Sequence, residues 1–380
     1  MGSGQHHAAM DTALRRNIVI SAVNVRKGGT LTVLRGCLQY LSGRPDLHVT
    51  ALVHKRELSD YPGIDYIEIP WSVKGWLRRL WCEYVTMHRI SRQLPEADLW
   101  LSLHDTTPRV KARRQAVYCH TSFPFMKARA TDWKLDYKIA LFTRFTRFAY
   151  RWNVKSNKYL IVQQQWMREA MSRLLGVDLQ RIIVAPPAFR PMPIPEGEDA
   201  RSKPGMTTFL YPATADVHKD FETLCEATRL LEKHIGTGRF RVVITVRGDE
   251  NKYAIFLKQN WGKVASLDFH GLMTREELGR AYGEATALVF PSRAETWGLP
   301  ISEFLPTGKP MILADLPYAH ETAAGAAQVR YFPVTDAQAL SNCMQEVIEG
   351  SLQAFQPVKQ PDFQPPFAPD WETLFNLLLA

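Results

Sequence analysis

The chain has 380 residues, 46% of them hydrophobic, and this length exceeds what one hydrophobic core normally accommodates, so we predict two domains. Its formal net charge of +9 favours an anionic partner, which could be a nucleic acid, a membrane surface or a phosphorylated small molecule. No apolar run approaches the length that spans a bilayer and no secretory leader opens the chain, so we expect a cytoplasmic protein.

The cysteines and the charge pattern disfavour several classes of protein. The five cysteines are odd in number, far apart and never spaced as CxxC, which argues against a disulfide framework and a zinc site. No zinc finger, RNP-type aromatic signature or dense Lys/Arg run occurs, so we expect no nucleic-acid partner. Residues 1–10 are rich in Gly, Ser and His and have no periodic pattern, so they predict neither a helix nor a strand of the fold.

The first half of the chain alternates between short apolar runs and helical patterns. Residues 18–25 form a β-branched run, Gly28 and Gly29 make a turn, and leucines at helical spacing then continue to Leu41. Further apolar runs lie at residues 49–53, 65–69, 98–103 and 116–120. This alternation is typical of a parallel sheet built from βαβ units.

A Pro-rich polar stretch separates this half from a second series of strands and helices. We predict an N-terminal Rossmann-like domain over residues 11–190, a linker over 191–206 and a C-terminal Rossmann-like domain over 207–360. The remaining residues, 361–380, form a tail with an amphipathic helix that could pack back on the N-terminal domain.

Residues 290–312 carry the most informative pattern in the chain. They run from an apolar strand through a polar loop into a short helix, with Glu295 in the loop and Glu303 eight positions later on the helix. A helix N-terminus after a parallel strand attracts anions, so the amides of Gly298 and Leu299 are candidates to bind a diphosphate. Carboxylates that accept hydrogen bonds from vicinal hydroxyls suit sugar recognition, Glu303 for a ribose and Glu295 for a transferred sugar.

This region resembles the Glu-x7-Glu signature of the family 4 retaining glycosyltransferases, and the similarity extends to FPS before the motif, GLP within it and GKP after it. The resemblance implies an α/β protein of the GT-B class, with two Rossmann-like domains whose parallel sheets face each other across a cleft. It further implies retaining, metal-independent transfer from a nucleotide-diphosphate sugar to a saccharide or lipid-linked acceptor. The setting that it implies is bacterial surface polysaccharide biosynthesis, meaning lipopolysaccharide O-antigen or exopolysaccharide.

The same resemblance assigns roles to residues outside the motif. Lys219, near a predicted helix start, occupies the place of the lysine that binds the donor diphosphate in relatives. The arginine that usually precedes this lysine is missing, and Arg247 is our candidate to replace it. His120, in a stretch similar to the element that places a histidine beside the donor sugar, is a catalytic candidate together with Glu295. The Gly28-Gly29 turn resembles the glycine loop that faces the donor phosphates.

No cofactor is expected besides the donor substrate, because no DxD-like carboxylate pair is suitably placed to hold a divalent ion. In this scheme a lysine neutralises the leaving group, Glu295 orients the sugar, and His120 contacts the sugar or the acceptor.

Simpler interpretations stay open for each residue. The two glutamates could be helix-dipole partners on a solvated face, Lys219 an ordinary exposed lysine, and His120 a structural residue at the end of a strand. At the level of the whole protein, a sugar-nucleotide epimerase, a phosphorylase or a non-catalytic nucleotide-binding module could share the diphosphate site.

Two aromatic and basic stretches, residues 76–89 and 138–152, have apolar helical faces flanked by arginines. Peripheral contact with an anionic membrane, on the inner face of the cytoplasmic membrane, would suit such faces. Packing against a sheet would suit them too, and we expect the apolar side chains to lie in the core.

Overall fold

A computed structural model describes residues 15–187, 193 and 205–380. These residues divide into two compact units. Unit 1 consists of the described residues among 1–121, 145–188 and 363–380, and unit 2 of those among 122–144 and 189–362. Most of the predicted linker, 191–206, lies outside the described residues.

Unit 1 contains a seven-stranded parallel sheet in the order β3-β2-β1-β4-β5-β6-β7. Its central strand pairs on both sides, with Ile18 opposite Val49 on one neighbour and opposite Leu99 on the other. The strand order reverses between β1 and β4, and the loops that follow these strands therefore diverge at one edge of the sheet. The strands are β1 (Arg16–Ala22), β2 (Leu47–Val53), β3 (Ile64–Glu68), β4 (Leu99–Ser102), β5 (Gln115–Tyr118), β6 (Tyr159–Val162) and β7 (Ile182–Val184).

The helices of unit 1 include one from the far end of the chain. They are α1 (Gly28–Ser42), α2 (Trp76–Trp81), α3 (Met87–Gln93), the second half of α5 (Tyr137–Arg151), α6 (Gln165–Leu175) and α13 (Trp371–Leu379), with a π-helical turn at Cys82–Thr86. Helix α13 buries Leu374, Phe375 and Leu378 in the same cluster as β1 and α1. The Phe375 ring stacks on Tyr40 of α1 at 5.5 Å between centroids, so the tail completes the core of unit 1.

Unit 2 contains a six-stranded parallel sheet in the order β10-β9-β8-β11-β12-β13. The order reverses between β8 and β11, and Leu210 of β8 lies opposite Leu288 of β11. The strands are β8 (Thr207–Tyr211), β9 (Phe240–Ile244), β10 (Leu267–Phe269), β11 (Ala287–Phe290), β12 (Met311–Ala314) and β13 (Val329–Phe332). The helices are α4 (Ala130–Leu135), the first half of α5, α7 (Phe221–Ile235), α8 (Lys252–Trp261), α9 (Arg275–Glu284), α10 (Leu299–Phe304), α11 (Pro317–Thr322) and α12 (Ala337–Ile348).

The division into units differs from the predicted domain boundaries at residues 122–144, which belong to unit 2 although they precede the linker. Buried ion pairs explain the difference. Arg129 lies 2.8 Å from Asp220, and Asp132 lies 2.6 Å from Arg293. Sequence periodicity cannot reveal such pairs, because their members are about ninety or more positions apart in the chain.

The prediction that the apolar face of residues 76–89 packs in the core was wrong for its first part. Trp76, Leu77, Leu80 and Trp81 are all exposed, whereas Tyr84 is half-buried. The sheet face is instead covered from Cys82 and Met87 onward. The five cysteines are free and buried, as expected for reduced core thiols. In the described part of the chain, no helix is long and apolar enough to cross a membrane.

Candidate active site

The loop after β11 leads into helix α10 through a glycine that no other residue could replace without strain. Gly298 has φ +88° and precedes the first helical residue, Leu299. A Cβ at this position would lie 3.3 Å from Cδ1 of Ile301, so both the backbone conformation and the packing favour glycine. The loop is further fixed by Trp297, whose indole N–H donates to Ser302 Oγ at 2.9 Å.

This entry to α10 presents backbone amides without acceptors. Among the residues that the structure describes, the N–H groups of Gly298 and Leu299 donate no hydrogen bond. Because α10 has only six residues, its dipole is small, and the value of the site for an anion lies in these two amides themselves.

Lys219 and Glu295 meet where the strand order of unit 2 reverses. Lys219 follows β8 and Glu295 follows β11, and the Lys219 Nζ atom lies 2.5 Å from Oε1 of Glu295. Their side chains are only 16% and 13% exposed, respectively. Ligands in open α/β sheets bind at such a reversal, so the sheet topology places this pair where a substrate is expected.

The turn that carries Lys219 is held by the next residue. Asp220 adopts the left-handed conformation at φ +54° and is fully buried. Its carboxylate accepts hydrogen bonds from Thr223 at 2.7 Å and Arg129 at 2.8 Å. These bonds offset the cost of an L residue with positive φ, and they fix the backbone from which Lys219 extends.

Glu303 of α10 is oriented by a tyrosine that the sequence interpretation missed. The Tyr282 hydroxyl donates to Oε2 of Glu303 at 2.8 Å. Burial raises the pKa of Tyr282 well above its usual range, and the neighbouring Glu303 charge adds to this effect. The phenol therefore stays protonated and acts as a donor. The other carboxylate oxygen of Glu303 is left to accept hydrogen bonds from a ligand.

Arg293 is a second residue that the sequence interpretation missed. It is buried, and its guanidinium donates to Asp132 at 2.6 Å and to the Val217 carbonyl at 3.1 Å. Its backbone N–H donates to the His218 carbonyl at 2.8 Å. Arg293 thus fastens the loop that carries Glu295 to the turn that carries Lys219. Its position two residues before Glu295 was visible in the sequence, but its partners were not.

Arg247, the candidate replacement for the missing family arginine, follows β9. Its side chain is 69% exposed and pairs with Asp249 at 2.8 Å. In the described part of the chain it makes no hydrogen bond or ion pair with Lys219 or Glu303.

The remaining candidates belong to unit 1 and follow its central strands. Gly28, at φ +68°, and Gly29 open helix α1, and both are exposed. His120 follows β5, and its ring stacks on Tyr118 at 4.6 Å between centroids. Neither ring nitrogen of His120 reaches solvent or has a hydrogen-bond partner among the described residues, and burial lowers the pKa of this histidine to about 3. The imidazole is therefore neutral.

The backbone beside His120 is fixed by an aspartate. The N–H of His120 donates to Oδ1 of Asp105 at 2.5 Å, and Asp105 itself has φ +70°. Burial raises the pKa of Asp105 to about 6. His104 is also buried, and its ring is hydrogen-bonded to Ser21 at 3.0 Å, which makes it a structural residue.

Comparisons with known proteins agree with this architecture. Residues 197–359, which contain every candidate of unit 2, match the family described as Glycosyl transferases group 1. The matched residues are therefore similar to a group 1 glycosyltransferase domain. It is 23% identical over 230 residues to the O-antigen chain mannosyltransferase RfbU of Salmonella typhimurium, a match that covers 59% of this chain and 58% of RfbU. Together these matches support a transferase.

Solved structures show the fold. Sucrose-phosphate synthase from Thermosynechococcus elongatus has a TM-score of 0.64 at 17% identity, over 90% of this chain and 91% of that protein. WaaG, a glycosyltransferase involved in lipopolysaccharide biosynthesis, has a TM-score of 0.64 at 16% identity, and the match covers 88% of this chain and 91% of WaaG. HepE of Anabaena, solved in complex with UDP-glucose, has a TM-score of 0.58 at 12% identity, and the match covers 89% of this chain and 91% of HepE. The predicted α/β class with two Rossmann-like parallel-sheet domains, as in GT-B glycosyltransferases, is confirmed.

Proposed function

We propose that this protein is a retaining glycosyltransferase that moves a sugar from a nucleotide-diphosphate sugar to a saccharide or lipid-linked acceptor in bacterial surface polysaccharide biosynthesis. The observation that carries the proposal is the Lys219–Glu295 pair at the strand-order reversal of unit 2, beside the unpaired amides of Gly298 and Leu299. A group 1 domain match and an O-antigen mannosyltransferase relative support the class of reaction and its setting.

The donor would bind through complementary parts of the site in unit 2. The amides of Gly298 and Leu299 would donate to the diphosphate, and the Lys219 ammonium would neutralise its charge. Glu303, held on one oxygen by Tyr282, would accept hydrogen bonds from the ribose hydroxyls with the other. Arg247, Gly28 and Gly29 would contribute further phosphate contacts.

Charge neutralisation by a lysine suits a reaction that needs no divalent metal. As the bond between the anomeric carbon and the diphosphate oxygen breaks, negative charge builds on the leaving phosphate, and Lys219 would stabilise it in a partly buried setting. No cofactor besides the donor is part of this scheme.

Retention of anomeric configuration would follow if the acceptor attacks from the side of the leaving group. The acceptor oxygen forms the new bond to the anomeric carbon, and its proton passes to the departing phosphate. Glu295 would orient the sugar hydroxyls and not form a covalent bond, because it is already paired with Lys219. His120, neutral and without a hydrogen-bond partner in the described residues, would contact the sugar or the acceptor.

A thermal-shift screen with UDP-, GDP- and dTDP-sugars tests the donor site first. A preferred donor raises the unfolding midpoint because it binds only the folded chain. Transfer with that donor to lipid-linked saccharide acceptors, followed by product anomer analysis, then tests the reaction. Turnover without an acceptor would favour an epimerase, phosphate-dependent cleavage a phosphorylase, and nucleotide binding without any turnover a non-catalytic module.

A further inference from the structure

Two exposed apolar stripes lie on the surface of unit 1. The first, on α2, consists of Trp76, Leu77, Leu80 and Trp81, whose spacing puts them on one helical face. The second, on α5 and the residue after it, consists of Phe145, Phe148 and Trp152, spaced three and four positions apart. The seven side chains are between 44% and 83% exposed.

The two stripes meet. The Tyr84 ring, one turn beyond α2 in the π-helical segment, packs edge-on against the Trp152 ring at 6.2 Å between centroids. The exposed apolar side chains therefore belong to one surface, which we call the aromatic surface and define as these seven residues. A soluble chain rarely exposes so many large apolar groups together unless another molecule covers them.

The charges around the aromatic surface have a single sign. Residues 74–81 and 145–152 contain five Lys or Arg and no Asp or Glu. Lys74, Arg78 and Arg147 are exposed and form no ion pair within the part of the chain that the structure describes. Arg147 lies over the Phe148 ring at 4.9 Å, so cation and aromatic ring are presented side by side.

We propose that the aromatic surface docks unit 1 on an anionic phospholipid bilayer. Trp and Phe side chains favour the boundary between headgroups and acyl chains, and adjacent unpaired cations are attracted to anionic headgroups. Glu83, which precedes Tyr84, is buried and paired with Arg79, so the surface presents aromatic and basic groups without an exposed carboxylate. This chemistry fits a bilayer, whereas a folded protein partner more often meets both signs of charge across an interface. The inference is independent of the proposed transfer reaction, since it rests on residues that have no role in the donor site.

Vesicle flotation with the full chain tests the proposal. We expect binding to phosphatidylcholine vesicles that contain phosphatidylglycerol and much weaker binding to phosphatidylcholine alone. Binding should fall when salt rises from 0.1 M to 1 M, because the Debye length shortens from about 10 Å to about 3 Å. Absence of binding to the anionic vesicles at low salt would overturn the proposal.

Matched variants separate this surface from a general charge effect. Each cation near an anionic membrane surface contributes about fivefold to binding, so the double variant Arg78→Gln with Arg147→Gln should weaken vesicle binding about thirtyfold. Leu77→Ser with Trp81→Ser should weaken it at least as much. Leu272→Ser removes an equally exposed leucine of unit 2, and Lys233→Gln with Lys263→Gln removes two exposed cations elsewhere. If these controls weaken binding as much as the surface variants, the proposal is wrong.

Folding and self-association are checked with the same proteins. All four surface positions are exposed, so the unfolding midpoint should not drop in either double variant. Sedimentation velocity without lipid should give one species for wild type and variants. A wild-type oligomer that Leu77→Ser with Trp81→Ser dissociates would assign the surface to a second copy of the chain and overturn membrane docking.

Discussion

The Nζ atom of Lys219 lies 2.5 Å from Oε1 of Glu295, although 76 positions separate the two residues in the chain. The pair joins the loops that follow two adjacent parallel strands, β8 and β11. A cation in this position already has one anionic partner, so a diphosphate that binds here shares Lys219 with Glu295. The ion pair thereby fixes the carboxylate beside the Lys219 ammonium.

Replacing Lys219 by alanine should lower kcat/KM for the preferred nucleotide sugar about tenfold to hundredfold, the range expected when a charge-assisted contact is lost. The physical reason is the uncompensated charge on the leaving diphosphate. Steady-state kinetics measures the change, and the exposed Lys263→Ala is the matched control. Equal activity of the two variants would remove Lys219 from the mechanism.

Glu295→Gln should act differently from the lysine variant. It keeps the side-chain shape and frees Lys219 from its partner, so nucleotide binding should be retained while the rate of sugar transfer falls. Titration with the nucleoside diphosphate and single-turnover kinetics separate the two effects. A loss of nucleotide affinity with an unchanged transfer rate would contradict a role in orienting the sugar.

Tyr282→Phe should raise the Kd for the nucleotide sugar about fivefold, because Glu303 loses the hydrogen bond that orients it. Isothermal titration gives the affinity. Tyr253→Phe is a close control, since the Tyr253 hydroxyl also donates to a carboxylate, that of Glu222, in unit 2. Both variants should lose stability, but only Tyr282→Phe should weaken donor binding. The same Kd shift in both would mean that the effect is structural.

Arg293→Met should reduce the free energy of unfolding by about 3–5 kcal/mol, because the buried Asp132 carboxylate loses the guanidinium that lies 2.6 Å from it. Urea denaturation measures the change. Arg229→Met breaks an exposed pair with Glu226 and should cost less than about 1 kcal/mol. Addition of Asp132→Leu to Arg293→Met should recover part of the loss. A failure of the double variant to recover any stability would show that Asp132 is not the group left uncompensated.

Asp105→Asn should change how stability depends on pH. Burial raises the pKa of Asp105 to about 6, above about 3.8 for the unfolded chain, so the folded state favours the protonated form. The stability that protonation gives is complete below about pH 3.8 and is lost as pH rises through 6. The asparagine variant, which keeps the acceptor for the His120 N–H, should be more stable than wild type by about 3 kcal/mol at pH 7.

That advantage should shrink as pH falls from 6 towards 4. Urea midpoints across this range measure it, with the exposed Asp268→Asn as the control. A constant difference between Asp105→Asn and wild type at every pH would contradict the raised pKa.

Much of the fold could be predicted because it depends on short-range patterns. Helix α6, Gln165–Leu175, ends at Gly176, which has the left-handed conformation at φ 66°, and a glycine at a helix end is a local signal that the sequence shows directly. Gly298 could likewise be recognised, because it has a left-handed backbone conformation that favours glycine and is followed by Leu299 and Pro300 at the start of a helix. Glu295, Gly298, Leu299 and Glu303 could be named for the same reason, since they lie in one contiguous motif, and Lys219 could be named because it lies near a helix start.

Partners distant in sequence could not be predicted. Tyr282 and Arg293 act on the site through contacts with Glu303 and Asp132, and no spacing rule links these residues. The exposure of Trp76 and Trp81 was misjudged because a helical apolar face has the same sequence pattern whether it covers a sheet or faces outward.

The sequence by itself determined the alternation of strands and helices, the two parallel sheets and the motif with its glutamates, because each depends on hydrophobic periodicity or on residue types within about one supersecondary unit. Only the tertiary structure decided which side chains form ion pairs, namely Lys219 with Glu295 and Asp132 with Arg293. It also decided which residues of the core of unit 1 helix α13 contacts. Pairing of distant groups depends on how loops converge at the edge of a sheet, and that convergence exists only once the strands have assembled in order.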